Sequence, residues 1–276
     1  MASGYILLGQ AVCRALCCGM ELAFRVFGEV GATPVVIVHG LLGSSRNWQT
    51  AAKDLGERYR VYALDLRNHG DSPHASPHSY AAMCEDLVEW MESQSIAKAI
   101  LIGHSMGGKL AMKFACERPE RVAKLVVVDI APKVYPNSHD DDLSAMLSID
   151  THSLANRSEA DEALQTAVPD WGLRQFLLTS LIRDEAGDGF RWQPNVREIY
   201  ENRSLLESTP LDEGMRFSGE ALFILGEKSR YFADSDVVAA LRHFPESSFE
   251  AIPNCGHNPH FEKKDAFVEI VKRFCG

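Results

Sequence analysis

No apolar run in the 276 residues reaches the roughly 18 that a membrane-spanning helix needs. That excludes a helical membrane span within this sequence. No Cys-x-x-Cys pair is present, so the usual opening of a zinc knuckle is missing. Basic charge is scarce: 28 Lys and Arg face 38 Asp and Glu, a net charge of −10. Such a surface does not draw in nucleic acid or an anionic membrane by long-range attraction. Internal repeats and low-complexity tracts are also missing. The seven cysteines (Cys13, Cys17, Cys18, Cys84, Cys116, Cys255, Cys275) are odd in number and scattered, which does not suit a disulfide framework. Free thiols in a reducing, cytoplasmic compartment are expected. Ahead of the short apolar stretch Tyr5 to Leu8 there is no basic residue; Arg14 comes after it, the wrong order for a secretory signal. Residues 1–19 are expected to be a leader or extension without fixed structure.

What is present is ordinary globular material, 46% hydrophobic and 24% charged, enough for one large domain or a core with a subdomain. Apolar runs of strand length recur: Val35 to Val38, Val61 to Leu64, Ala99 to Ile102, Leu125 to Val128, Ala221 to Leu225 and Phe249 to Ile252. Leu22, Phe24 and Val26 alternate like a further strand. Runs apolar on both faces predict central strands of a parallel sheet covered by helices on each side. Between them lie stripes at helical spacing, such as Trp48, Ala51, Ala52 and Leu55, or Leu110, Ala111, Phe114 and Ala115. The expected class is α/β, a doubly wound, mostly parallel sheet. The alternation is interrupted at residues 133–219, which turn polar and helical, with a strong amphipathic run from Leu173 to Ile182. The expectation is a core of residues 20–132 and 220–276, with 133–219 a helical cap inserted before the penultimate strand. That end of an open α/β sheet carries the ligand site.

Gly103-His104-Ser105-Met106-Gly107-Gly108 follows a strand and precedes a helical stripe, the context of a nucleophile elbow. Ser105 would stand at a helix N-terminus, where backbone N–H groups favour negative charge. A serine needs a base. His257 follows the last strand and is the candidate among ten histidines. His39, His69 and His104 read as structural, and His74, His78, His139, His152 and His243 lie in polar or exposed contexts. His257 and His260 have a metal-ligand spacing but no third partner, so no metal is expected. His39-Gly40-Leu41-Leu42-Gly43 is a tight turn that presents a backbone N–H; Leu41 and Met106 are the expected oxyanion donors.

Together these residues resemble the α/β-hydrolase superfamily over residues 20–276. Arg67-Asn68-His69-Gly70, Gly103 to Lys109 and Asp129-Ile130-Ala131-Pro132 are similar to the YbfF-type small esterases, in which these three motifs occur together. The resemblance implies hydrolysis of short acyl esters or thioesters through an acyl-serine, without a cofactor. In most of the superfamily an acid follows the penultimate strand; here Gly226-Glu227-Lys228-Ser229-Arg230 puts Ser229 at that place. The YbfF type shares that serine and takes its acid from the D-I-A-P aspartate, which makes Asp129 the third triad member. Glu227, Asp234 and Asp236 are the rival carboxylates. Ser229 is then a fourth member through a hydrogen bond to Asp129 or His257.

Phe176, Leu177, Leu181 and Trp192 in the insertion are expected to line or support an acyl pocket, unless they only pack the insertion onto the core. The expected function is a serine carboxylesterase acting on small-molecule esters, as a monomer or dimer. A thioesterase or carbon–carbon hydrolase on the same triad, or a binding module with a vestigial triad, remain as alternatives.

Overall fold

The computed structural model describes residues 20–136, 139–185, 187 and 189–276. The leader expected at 1–19 lies outside the described residues, as do Cys13, Cys17 and Cys18. The strands in chain order are β1 (Phe24–Phe27), β2 (Pro34–Val38), β3 (Arg60–Leu64), β4 (Ala99–His104), β5 (Val122–Val128), β6 (Leu181–Arg183), β7 (Phe190–Trp192), β8 (Ala221–Gly226) and β9 (Ser247–Ile252). The helices are α1 (Gln49–Leu55), α2 (Tyr80–Ser93), α3 (Met106–Glu117), α4 (Asp140–Ser148), α5 (Arg157–Leu164), α6 (Trp171–Leu178), α7 (Val196–Glu201), α8 (Arg203–Glu207), α9 (Asp236–His243), α10 (Pro259–Glu262) and α11 (Lys264–Cys275). Every apolar run expected to be a strand is one.

Seven strands form one sheet in the order β1-β3-β2-β4-β5-β8-β9. Only β1 pairs antiparallel, on β3; the other pairings are parallel, with Ile102 opposite Val126 and Val127 opposite Phe223. Side chains alternate between the two faces of a strand, so the central runs feed two cores. Val36, Val38, Leu101, Leu125 and Val127 pack with Leu87, Trp90, Leu110 and Phe114 of α2 and α3. Val35, Ile37, Ile102, Val126 and Val128 pack with Ala51, Leu55, Phe267 and Val271 of α1 and α11. With both faces covered, continuous apolarity is what the sheet requires.

The segment between β5 and β8 contains α4 to α8 and the two-stranded β6–β7 hairpin. The amphipathic run at 173–182 is therefore not one helix. The Thr179 and Ser180 hydroxyls donate to the carbonyls of Phe176 and Leu177 at the end of α6, and side-chain bonds of this kind compete with helix continuation. The chain then enters β6 at Leu181. Asn195 N–H donates to Asn68 O (2.9 Å), and Gln193 to Asp71 Oδ1 (2.7 Å), tying the insertion to the Arg67–Ser72 loop. Among the described residues no helix is long and apolar enough to cross a membrane.

Candidate active site

The His39–Gly43 turn, Ser105, Asp129 and His257 follow the carboxyl ends of β2, β4, β5 and β9. Ser105 lies between β4 and α3 with φ 52° and ψ −118°, a backbone state that costs a non-glycine residue about 1–3 kcal/mol. Neighbouring glycines allow so sharp a turn. A Cβ on Gly103 would sit 2.2 Å from the Gly107 carbonyl oxygen, and one on Gly107 2.4 Å from that of Val38. Ser105 N–H donates to Val128 O (3.1 Å), fixing the elbow to β5. The residue is buried at 8% exposure but lines a cleft, with its hydroxyl spent on no hydrogen bond among the described residues.

Asp129 ends β5, fully buried and also at positive φ (53°). Its Oδ2 accepts from His257 Nδ1 (2.7 Å) and from the Ser229 hydroxyl, and its Oδ1 from Gly226 N–H (2.9 Å). A buried carboxylate is tolerated only when partnered in this way. Of the rival acids, Glu227 instead accepts from Asn254 N–H (2.8 Å). Asp236 pairs with Lys133 (2.5 Å), and Asp234 lies exposed just ahead of α9. Of these carboxylates, Asp129 is the one hydrogen-bonded to His257 among the described residues.

His257 sits in the loop after β9. With Nδ1–H on Asp129, its Nε2 is left to accept a proton. The ring stacks on Tyr231 (centroids 3.7 Å, 17°). Its carbonyl accepts from His104 Nε2 (2.8 Å), which ties the base to the residue before Ser105. Glu262 accepts from Gly256 N–H (2.7 Å) and Asn258 N–H (3.1 Å), bracketing the histidine. His260 turns away, stacks on Trp48 (3.9 Å) and is pushed down to about 3 by burial and by His257.

The His39–Gly43 turn is pinned by two buried imidazoles. His39 Nδ1–H donates to Gly40 O (2.7 Å) and its Nε2 accepts from Leu66 N–H (3.0 Å). His69 Nδ1–H donates to Arg67 O (3.0 Å) and its Nε2 accepts from Leu42 N–H (3.1 Å). Burial lowers His39 to about 4 and, with His39 alongside, His69 to about 3. The structural reading of His39, His69 and His104 agrees with these bonds; His78, expected in a polar or exposed context, is buried instead. Leu41 and Met106 both line the cleft. Neither amide is spent on a turn or loop bond among the described residues.

The cleft is partly open to solvent. Its remaining walls are Tyr80, Lys109, Ile130, Tyr135, His139, Leu206 and Tyr231, none of which sequence reasoning had placed there. Tyr80 donates to Leu206 O (2.8 Å) and Tyr135 to Tyr231 O, so both hydroxyls are engaged. Burial draws Lys109 down to about 7, against the raising effect of Glu207.

A family model described as the alpha/beta hydrolase fold matches residues 33–264. The chain belongs to the α/β-hydrolase family. It is accordingly an enzyme of the hydrolase class. The sn-1-specific diacylglycerol lipase of Mus musculus is 38% identical over 256 residues, covering 90% of this chain and 82% of that protein. Esterase YbfF of Escherichia coli (strain K12) is 34% identical over 246 residues, covering 88% and 92%. Among solved structures, a marine microorganism esterase superposes with a TM-score of 0.88 at 38% identity, covering 93% of this chain and 100% of that one.

In this α/β hydrolase the insertion residues expected to line or support an acyl pocket pack against the hydrophobic core. Phe176, Leu177, Leu181 and Trp192 are not among the residues lining the cleft. Leu177 and Leu181 are fully buried within the insertion, and Phe176 and Trp192 pack against the same core. Trp192 Nε1 donates to Met146 O (2.9 Å), which turns the indole toward α4.

Proposed function

We propose that the chain is a serine carboxylesterase acting on small, uncharged acyl esters, with the insertion serving as a cap over the cleft. The reading rests on one observation above all, the Asp129–His257 hydrogen bond (2.7 Å) beside a serine held at positive φ. Ser105 Oγ attacks the ester carbonyl carbon while His257 Nε2 takes its proton. Asp129 holds Nδ1–H and balances the imidazolium. The carbonyl oxygen, now negative, lies between the Leu41 and Met106 amides. Collapse expels the alcohol, which receives the proton from His257, and leaves an acyl-serine. Water then attacks the acyl carbon with His257 again as base, releasing the acid and restoring Ser105.

Substrate class follows from the lining. Leu41, Ile130 and Leu206 are apolar, and the Tyr80 and Tyr135 hydroxyls already donate elsewhere. A charged acyl group would lose hydration against this largely apolar lining. A panel of p-nitrophenyl esters beside the matching acyl-CoA thioesters tests the reading. Turnover of short esters is expected, with thioesters slower. Turnover of thioesters alone would replace it with a thioesterase, and no turnover of either would favour a binding module.

A further inference from the structure

Lys109 stands one turn beyond Ser105 on α3, at 2% exposure, with its ammonium inside the protein. A lysine is seldom buried so fully unless its charge is met. Here all three donors are used: Nζ donates to the carbonyls of Leu206 (3.1 Å), Glu207 (3.2 Å) and Ser208 (2.7 Å). These are the last two residues of α8 and the residue that caps it. The end of a helix leaves such carbonyls without intrahelical partners, and a cation there is favoured by the negative end of the helix dipole. The Tyr135 ring faces the same ammonium at 4.8 Å. With no donor to spare, Lys109 cannot bind a substrate anion without giving up one of these bonds.

α8 has five residues. A helix that short has no stability of its own, so its place is set by what holds it. Lys109 and Tyr80 both fasten the Leu206 carbonyl, and Tyr135 N–H fastens that of Glu207 (2.8 Å). Leu206 and Lys109 both line the cleft. Ser105 lines the same cleft.

We propose that Lys109 is a specificity-determining residue: by clamping the end of α8 to the nucleophile helix it fixes Leu206 as the floor of the acyl pocket and limits acyl length. This rests on the esterase reading above. Loosening the clamp lets α8 withdraw, and shortening Leu206 deepens the same pocket without touching the clamp. Both changes act on acyl length rather than on the triad.

The test compares kcat/KM for p-nitrophenyl acetate and p-nitrophenyl octanoate in the full chain, in Lys109→Met and in Leu206→Ala. The octanoate-to-acetate ratio is expected to rise about tenfold or more in each variant, the discrimination that a methylene or two carries in an apolar pocket. A merely structural lysine would lower both substrates in parallel and leave the ratio where it was; that result in Lys109→Met overturns the proposal. If Lys109→Met does not fold, an unchanged ratio in Leu206→Ala overturns it and a raised one supports it. Failure of the unaltered chain to turn over either ester would refute the esterase reading itself, a result distinct from an unchanged ratio in an active enzyme.

Discussion

Acid should destabilise this protein through its buried imidazoles, His78, His104 and His260 included, and the two that pin the His39–Gly43 turn make a defined share of the effect. In the fold, each of these two rings has one nitrogen donating to a carbonyl and the other accepting from a backbone N–H. Burial disfavours the charged ring, and protonation would also aim a second N–H at an N–H, so the native state takes the proton only at about pH 4 on His39 and about pH 3 on His69. In the unfolded chain both take it near 6.5. Between these limits the unfolded state binds more protons, so stability falls as pH falls. One proton corresponds to about 1.4 kcal/mol per pH unit, and the pair to about 2.7 kcal/mol per unit between roughly pH 6 and pH 4. Against a total of about 5–15 kcal/mol, two units of acidification remove a large part. The assay is urea unfolding followed by circular dichroism at about pH 7 and about pH 5. The midpoint should drop sharply, and His69→Gln, though less stable at neutral pH, should show a slope smaller by about one proton. Equal stability at the two pH values, or an unchanged slope in the variant, would refute the reasoning.

Asp129→Asn should cost about 10²–10⁴ in kcat with KM little changed, because the amide would present a donor to His257 Nδ1 and favour the wrong tautomer; steady-state kinetics decide it, and near-normal kcat would point to another acid. Ser229→Ala removes one hydroxyl donor from Asp129 while His257 and Gly226 remain. It should cost roughly tenfold or less, since one hydrogen bond contributes about 0.5–1.5 kcal/mol. Trp192→Ala should lower the thermal midpoint and leave acyl-length preference unchanged, since the indole packs on α4 away from the cleft; a shifted preference in the same ester series would return Trp192 to the pocket.

The sheet was legible because its central strands are apolar on both faces, as Val35 to Val38 and Leu125 to Val128 show, and only buried parallel strands impose that pattern. The elbow was legible because turn chemistry is local, with glycines at 103 and 107; the pairing of Asp129 with His257 spans 128 residues and was expected from the resemblance to the YbfF-type esterases. The pocket was not. Tyr80, Tyr135, Leu206 and Tyr231 come from four segments far apart in sequence, and only tertiary packing brings them together. Lys109 carried a usable signal, a lysine inside an otherwise buried helical stripe. The hairpin β6–β7 went unread because its strands are three residues each, too short for alternation to show.

The central claim is that Ser105 is the nucleophile. Treating the protein with a fluorophosphonate and mapping the adduct by mass spectrometry tests it most directly. One adduct is expected, on Ser105, formed in step with loss of esterase activity and much more slowly in Asp129→Asn. Complete loss of activity with Ser105 unmodified and the adduct on another residue would contradict it.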